Sequence, residues 1–198
     1  MKKTILLGAL MLSAAAGFAQ ESRQDISISG FDLIGPTIHG NTDVVMRSST
    51  TGGVLGSYRF LLTPRSGLEF NYSFAQNSDY YTYGGSSTQN PIHARQQELS
   101  GAYVFGLSFK NYNPFVEAGP AALIFTPIQQ GSYSIDAKQK TNVGGFAGAG
   151  LAYELSPSFD LRVEYRGFLL KAPNFSSVLT TNRYEWLSMP TVGFAYHF

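Results

Sequence analysis

Apolar and polar positions alternate along most of the chain. From Phe159 to Arg166 the sequence is Phe-Asp-Leu-Arg-Val-Glu-Tyr-Arg. On a strand, successive side chains point to opposite faces. One face therefore holds Phe159, Leu161, Val163 and Tyr165, and the other Asp160, Arg162, Glu164 and Arg166. The same period places Leu68, Phe70, Tyr72 and Phe74 opposite Glu69, Asn71 and Ser73, and Leu99, Tyr103, Phe105 and Leu107 opposite Glu98, Ser100 and Ala102. It predicts strands near 25–35, 51–62, 67–76, 95–109, 114–125, 142–155, 159–170 and 186–198. The first is irregular: Ile26 and Ile28 lie in one phase, Phe31 and Leu33 in the other. A bulge near Ser29-Gly30 is the expected remedy. Pro120 and Pro190 are expected at bulges or at a rim, since proline has no N–H to give a ladder.

The connections fall into two classes that alternate strictly. Thr63 to Ser66, Lys110 to Asn113 and Ser156 to Ser158 are short and rich in turn formers. Stretches 36–50, 77–94, 126–141 and 171–185 are long and polar. Eight strands joined in this way suit an antiparallel up-and-down transmembrane β-barrel, with short periplasmic turns and long external loops. An even strand number brings both ends of the barrel chain to the periplasmic side.

The start of the sequence agrees. Lys2 and Lys3 precede an apolar run from Ile5 to Ala16, and Gly17-Phe18-Ala19 fits a cleavage site. The expectation is a signal peptide over 1–19 and a barrel domain over 20–198. Beyond Ala19 no apolar run approaches the roughly 20 residues of a spanning helix. Strands that cross lipid must close, because lipid satisfies no open edge. Of the 14 Lys and Arg, two belong to the leader, and the other 12 nearly balance 13 Asp and Glu. That removes the electrostatic case for a nucleic-acid partner. The sequence has no Cys, hence no disulfide framework, thiol nucleophile or lipid-modified cysteine.

Alternation alone also fits a soluble sandwich or a lipocalin-like carrier. The aromatic residues favour lipid: Tyr58, Tyr103, Tyr153, Tyr165, Tyr184 and Trp186 are placed to form interfacial girdles. On the other face, Arg59, Glu69, Glu117, Glu154, Asp160 and Arg162 lie near the short turns, with Glu164 and Arg166 higher. In a narrow barrel, which side chains fill, these eight are expected to form a paired lumen network, because an unpaired buried charge costs several kcal/mol. Gly144, Gly148, Gly150 and Ala152 are expected to leave room for the longer side chains.

The final strand carries Pro190, Val192, Phe194, Tyr196 and Phe198 at alternate positions. It resembles the C-terminal assembly signal of Gram-negative outer-membrane proteins. With the leader and eight strands, the whole chain resembles the small outer-membrane β-barrel family of outer membrane protein A-like and Ail-type barrels. The segment Pro114 to Pro120 is similar to a recurring strand opening of that family. The resemblance implies a location in the cell outer membrane, spanned by several strands. It also implies contact with outer-membrane lipid and lipopolysaccharide, and recognition of Val192, Phe194, Tyr196 and Phe198 by the barrel-assembly machinery.

Little in the sequence points to catalysis, and the chain is not expected to be an enzyme. His39 and His93 are assigned to loops, and the His-x-Ser pairing of lipid A deacylase barrels is missing, although a triad assembled from separate strands is defined by geometry rather than spacing. Three scattered His do not make a metal site, and no cofactor is implied. Gly144 to Gly150 lacks the strand-turn-helix setting of a nucleotide loop. The leading expectation is a structural or surface-interaction protein. Its loops would meet an extracellular ligand through Tyr80, Tyr81 and Tyr83, or lipopolysaccharide phosphates through Lys138, Lys140 and Arg183. A narrow, porin-like ion channel and a lipid-modifying enzyme are the alternatives.

Overall fold

The computed structural model describes residues 23–39, 44–83, 90–128, 139–172 and 183–198. The expected leader, Lys138 and parts of each long connection lie outside these residues. Ten strands are present: β1 (Gln24–Leu33), β2 (Thr37–His39), β3 (Val44–Ser48), β4 (Thr51–Thr63), β5 (Ser66–Tyr83), β6 (Asn90–Gly106), β7 (Tyr112–Pro127), β8 (Lys140–Ser156), β9 (Phe159–Lys171) and β10 (Tyr184–His197). Eight of them close an antiparallel, up-and-down barrel in the order β1-β4-β5-β6-β7-β8-β9-β10. The first and last strands pair from Asp25↔His197 to Phe31↔Thr191 and complete the ring.

The other two strands extend the wall at the loop side. β3 follows β4 along the same edge of β5, pairing Val44↔Tyr83 to Ser48↔Asp79, and β2 pairs with β3. β5 and β6 stay paired up to Tyr81↔Asn90. The expected loops 36–50 and 77–94 are therefore largely strand. Thr, Tyr and Ile suit a strand as well as a loop, so polarity alone misread them.

The anticipated bulge in β1 is absent: its registers to β10 and β4 run without a shift. Asp25, Ser27, Ser29, Phe31 and Leu33 all face inward, and Ile26 and Ile28 face out. The apparent phase change arises because the lumen itself changes, from polar near the turns to apolar near the loops. Pro120 and Pro190 are also not at bulges. The β6–β7 register continues unchanged from Tyr103↔Ala118 to Ser100↔Ala121, and only the ladder between lapses. Pro190 pairs with Tyr165 on β9 and lies where the β1–β10 ladder skips two positions between Phe31↔Thr191 and Ile34↔Ser188. Register shifts occur instead beside two short turns, at Leu61/Thr63 and Glu154/Ser156. In the third turn, Lys110 has φ 55° between the reciprocally bonded Phe109 and Tyr112.

The outer surface is apolar, with Ile28, Val54, Phe70, Leu99, Val116, Val163 and Phe194 exposed. Near the turns, Tyr112 packs on Tyr153 (5.1 Å between centroids) and Phe159 on Tyr196 (5.0 Å), forming one aromatic girdle. Tyr58 and Tyr103 lie outward at the same end, and Tyr184 and Trp186 at the other. Tyr165 departs from the expected girdle. It sits halfway up β9, its hydroxyl bonded to Ser188 Oγ at 2.7 Å.

Candidate functional site

The interior is built around Arg166, which has no exposed surface. Its Nη2 donates to Glu98 Oε1 at 2.9 Å and its Nε to Glu117 Oε1 at 3.1 Å, with Glu164 Oε1 3.4 Å from the same nitrogen. Strands β6, β7 and β9 are thus joined through one guanidinium. Ser73 and Ser100 each donate to Glu98, at 2.8 and 2.7 Å. The Phe146 and Phe168 rings lie 4.5 and 5.2 Å from the guanidinium carbon and stack on each other at 5.4 Å. Above them the loop-side lumen is largely apolar, with Leu33, Met46, Leu55, Leu123, Leu170 and Met189 buried, and it also encloses Asn77, Gln96 and Glu185.

A second cluster lies toward the turns. Arg59 Nε donates to Glu69 Oε2 at 2.6 Å, and Arg162 Nη2 to Asp25 Oδ1 at 3.0 Å. Arg162 Nη1 is 3.5 Å from Glu69 Oε2, so one carboxylate serves two guanidiniums. The Phe115 ring lies against both, 4.6 Å from Arg59 and 5.6 Å from Arg162. Asn71, with its amide nitrogen toward Glu69 Oε1 (3.0 Å) and its oxygen toward Arg166 Nη2 (3.2 Å), connects the two clusters. Below Arg162, Asp160 Oδ2 accepts from His197 Nε2 at 2.9 Å, beside a cavity of about 150 Å³ at the turn side.

The small residues of β8 make this packing possible. A Cβ on Gly148 would come 2.9 Å from Glu117 Oε1, and one on Gly150 would come 2.5 Å from Phe115 Cζ. Larger side chains there would collide with the network.

Of the eight lumen charges expected from the sequence, Arg59, Glu69, Glu117, Asp160, Arg162, Glu164 and Arg166 are inside and within the two clusters or beside them. Glu154 is not: it is half-buried at the rim, next to the β8 register shift, and makes no ion pair among the described residues. Sequence reasoning missed Asp25, Glu98, Glu185 and His197. Glu98 lies far from any short turn, so proximity to a turn was the wrong filter; its inward phase on β6 was the usable signal.

The loop-side features are more dispersed. His39 and His93 are on strands β2 and β6, not in loops. His93 Nδ1 and Ser78 Oγ are 2.7 Å apart on the outward register of paired strands, and no carboxylate is bonded to His93 among the described residues. Lys140 and Arg183 are exposed at the rim, and Tyr80 is half-buried on the extended wall. The side chains of Tyr81 and Tyr83 lie outside the described residues. Among those residues no group of three His, Asp or Glu is arranged to hold a metal. Val192, Phe194 and Tyr196 face outward on β10, and Phe198 stacks on Tyr196 at 6.1 Å.

Comparison with known proteins locates this geometry. The family model described as outer membrane protein beta-barrel domain matches residues 4–198. A comparison with curated proteins gave no match. Among solved structures, neisserial surface protein A superposes with a TM-score of 0.64 at 13% identity, covering 89% of this chain and 98% of its own. The outer membrane protein OprG from Pseudomonas aeruginosa gives 0.63 at 12%, covering 89% and 96%. Ail, the attachment invasion locus protein of Yersinia pestis, in complex with the heparin analogue sucrose octasulfate gives 0.55 at 13%, covering 88% and 97%. At these identities the likeness is one of fold.

Proposed function

The chain belongs to the outer membrane protein β-barrel domain family and crosses the cell outer membrane with its strands; from that premise we propose that its barrel is a closed, non-conducting and non-catalytic anchor that presents a recognition surface outside the cell. The observation that carries this reading is the filled lumen. Arg166 is locked to Glu98 and Glu117 across three strands, and the stacked Phe146 and Phe168 cover it. A barrel of eight strands is just wide enough for side chains to fill, and ions do not enter a lumen packed with side chains without a large desolvation cost.

The wall formed by β2, β3, β5 and β6 supports the surface role. A spanning strand needs about 9–11 residues, whereas β5 has 18 and β6 has 17. With the turns on the periplasmic side, the excess projects outward as sheet, and a sheet holds recognition residues more rigidly than a coil. Ligand contact through this wall, and lipid phosphate contact at Lys140 and Arg183, belong to the same proposal. So does reading of the β10 aromatics by the assembly machinery.

Planar-bilayer recording tests the closed barrel. The purified protein should add no current, and a stepwise conductance altered by Arg162→Ala or Glu69→Gln would establish the channel reading instead. That rival is favoured by the cavity beside Asp160 and His197, which opens the turn-side end of the lumen. Protease accessibility on intact cells tests the orientation: cleavage between 84 and 89 is expected, and protection there with cleavage at the short turns would reverse it.

A further inference from the structure

Two carboxylate oxygens inside the barrel, Glu117 Oε2 and Glu164 Oε1, are buried with no hydrogen-bond donor among the described residues. They belong to the two acids that meet at one nitrogen of Arg166. Its Nε lies 3.1 Å from Glu117 Oε1 and 3.4 Å from Glu164 Oε1. A guanidinium carries a single hydrogen on Nε. That hydrogen goes to Glu117, so Glu164 Oε1 receives none. The other N–H groups of Arg166 are turned to Glu98 and Ser100.

The backbone forces the two acids together. Glu117, Gly148 and Arg166 share one register row across β7, β8 and β9, and Glu164 faces inward two residues nearer the turns. The glycines of β8 let the carboxyl groups approach: Glu117 Oε1 lies only 2.9 Å from where a Gly148 Cβ would be. Glu117 and Glu164 are within hydrogen-bonding reach of each other, yet two ionised carboxylates have no hydrogen to share. Their side chains are 0% and 4% exposed, so bulk water does not supply one.

The surrounding charges do not balance two further anions. β9 supplies Arg162 and Arg166, β4 Arg59, β5 Glu69, β6 Glu98 and β1 Asp25, while β8 presents Gly148 and Gly150, and β10 Thr191. Arg59 and Arg162 already serve Glu69 and Asp25. Arg166 is left to face Glu98, Glu117 and Glu164. Like charges that share one buried site disfavour ionisation of both.

We propose that Glu117 and Glu164 hold one proton between them near neutral pH, as a carboxyl–carboxylate hydrogen bond. A hydrogen on Glu117 Oε2 directed at Glu164 Oε1 gives both orphaned oxygens a partner. It also leaves two negative charges around Arg166 instead of three. The centre of the plug is then a proton site. The chain takes up this proton as the barrel closes and releases it on unfolding, because both acids ionise in water near neutral pH. The folded state binds more protons at this pair than the unfolded state, so the pair's contribution to stability falls as pH rises.

Infrared spectroscopy of the barrel in lipid tests the site, with isotope-labelled glutamate to separate Glu from Asp. Near neutral pH, wild type should show the C=O stretch of a protonated glutamate. Glu117→Gln and Glu164→Gln should each abolish it, since an amide N–H then takes the place of the proton, and Glu154→Gln, at the rim, should leave it. Absence of the band in wild type overturns the proposal; a cation or an enclosed water between two ionised carboxylates would give that result. Survival of the band in both variants also overturns it, by placing the proton on another acid. Proton counting is the second measurement. The unfolding constants of wild type and Glu164→Gln in urea should diverge about tenfold per pH unit near neutrality, the signature of one extra proton released by wild type. Parallel pH dependences would contradict a shared proton. Each variant is first checked for heat-modifiable migration, and if one fails to fold, the wild-type band and the other variant decide the question.

Discussion

Trp186 lies with its indole over Gly167. Cζ2, Cε2 and Cη2 of the ring all fall within the space that a Cβ on Gly167 would occupy. The glycine leaves bare backbone on the lipid face of β9, and the indole of the adjacent strand covers it. Since Trp186 is the only tryptophan, the contact has its own spectroscopic readout. Gly167→Ala should keep the fold, since a lipid-facing ring can move aside. It should displace the indole into the lipid interface and shift its emission. Identical emission and anisotropy in the variant and wild type would mean that the ring is not held there.

The packing of Phe115 on Gly150 has the opposite character, because neither partner can retreat. The ring is inside the barrel, between the glycine and the Arg59 and Arg162 guanidiniums. Gly150→Leu should destabilise the barrel by more than the roughly 1–3 kcal/mol typical of overpacking, since it also displaces an ion network. Phe115→Ala should restore part of that loss by vacating the space. Unfolding in urea from lipid bilayers gives both numbers, and two simply additive losses would show that the residues do not compete.

These two contacts show what the sequence conveys and what it does not. Alternation in Phe159 to Arg166 was enough to assign inside and outside along β9, because side-chain period is a local property. The glycines at 148 and 150 were legible as spacers for the same reason. Which residue fills each space depends on register between strands, and no single strand encodes register. Hence the pairing of Arg166 with Glu98, 68 residues apart, was invisible. The β1 misreading had a different origin. Its inward face runs from Asp25 and Ser27 to Phe31 and Leu33, so polarity switches along one face and mimics a change of phase. Polar strand segments such as residues 77–83 lack the apolar face that marks a membrane strand.

The lumen contains more acid than base. Asp25, Glu69, Glu98, Glu117, Asp160 and Glu164 face Arg59, Arg162 and Arg166, with Glu185 buried nearer the loops and His197 at the rim. Removing a guanidinium should therefore be far worse than neutralising a carboxylate. Arg166→Leu leaves Glu98, Glu117 and Glu164 without their shared cation and should cost about 3–5 kcal/mol, if the variant assembles at all. Glu164→Gln keeps the shape, relieves repulsion from Glu117, and should change stability by less than about 1 kcal/mol in either direction. Urea unfolding of the two variants in lipid is the check, and comparable losses would contradict the charge argument.

The last prediction separates two roles for Phe198. Its ring stacks on Tyr196 at 6.1 Å, and its N–H donates to Gln24 O at 3.0 Å, across the seam between the first and last strands. Replacing it with Ala keeps the backbone bond and removes one rim-level aromatic contact, worth about 0.5–1.5 kcal/mol. If the ring mattered only for that contact, Phe198→Ala would lower stability slightly and leave the amount of folded barrel in cells nearly unchanged. If the Phe198 ring is read during insertion, the outer-membrane level should fall several-fold, while refolding of the purified variant into lipid vesicles proceeds as in wild type. Phe159→Ala provides the comparison. It removes the equivalent contact with Tyr196, 5.0 Å away, from a residue on the neighbouring strand β9. Equal cellular levels of the two variants would assign Phe198 a packing role alone.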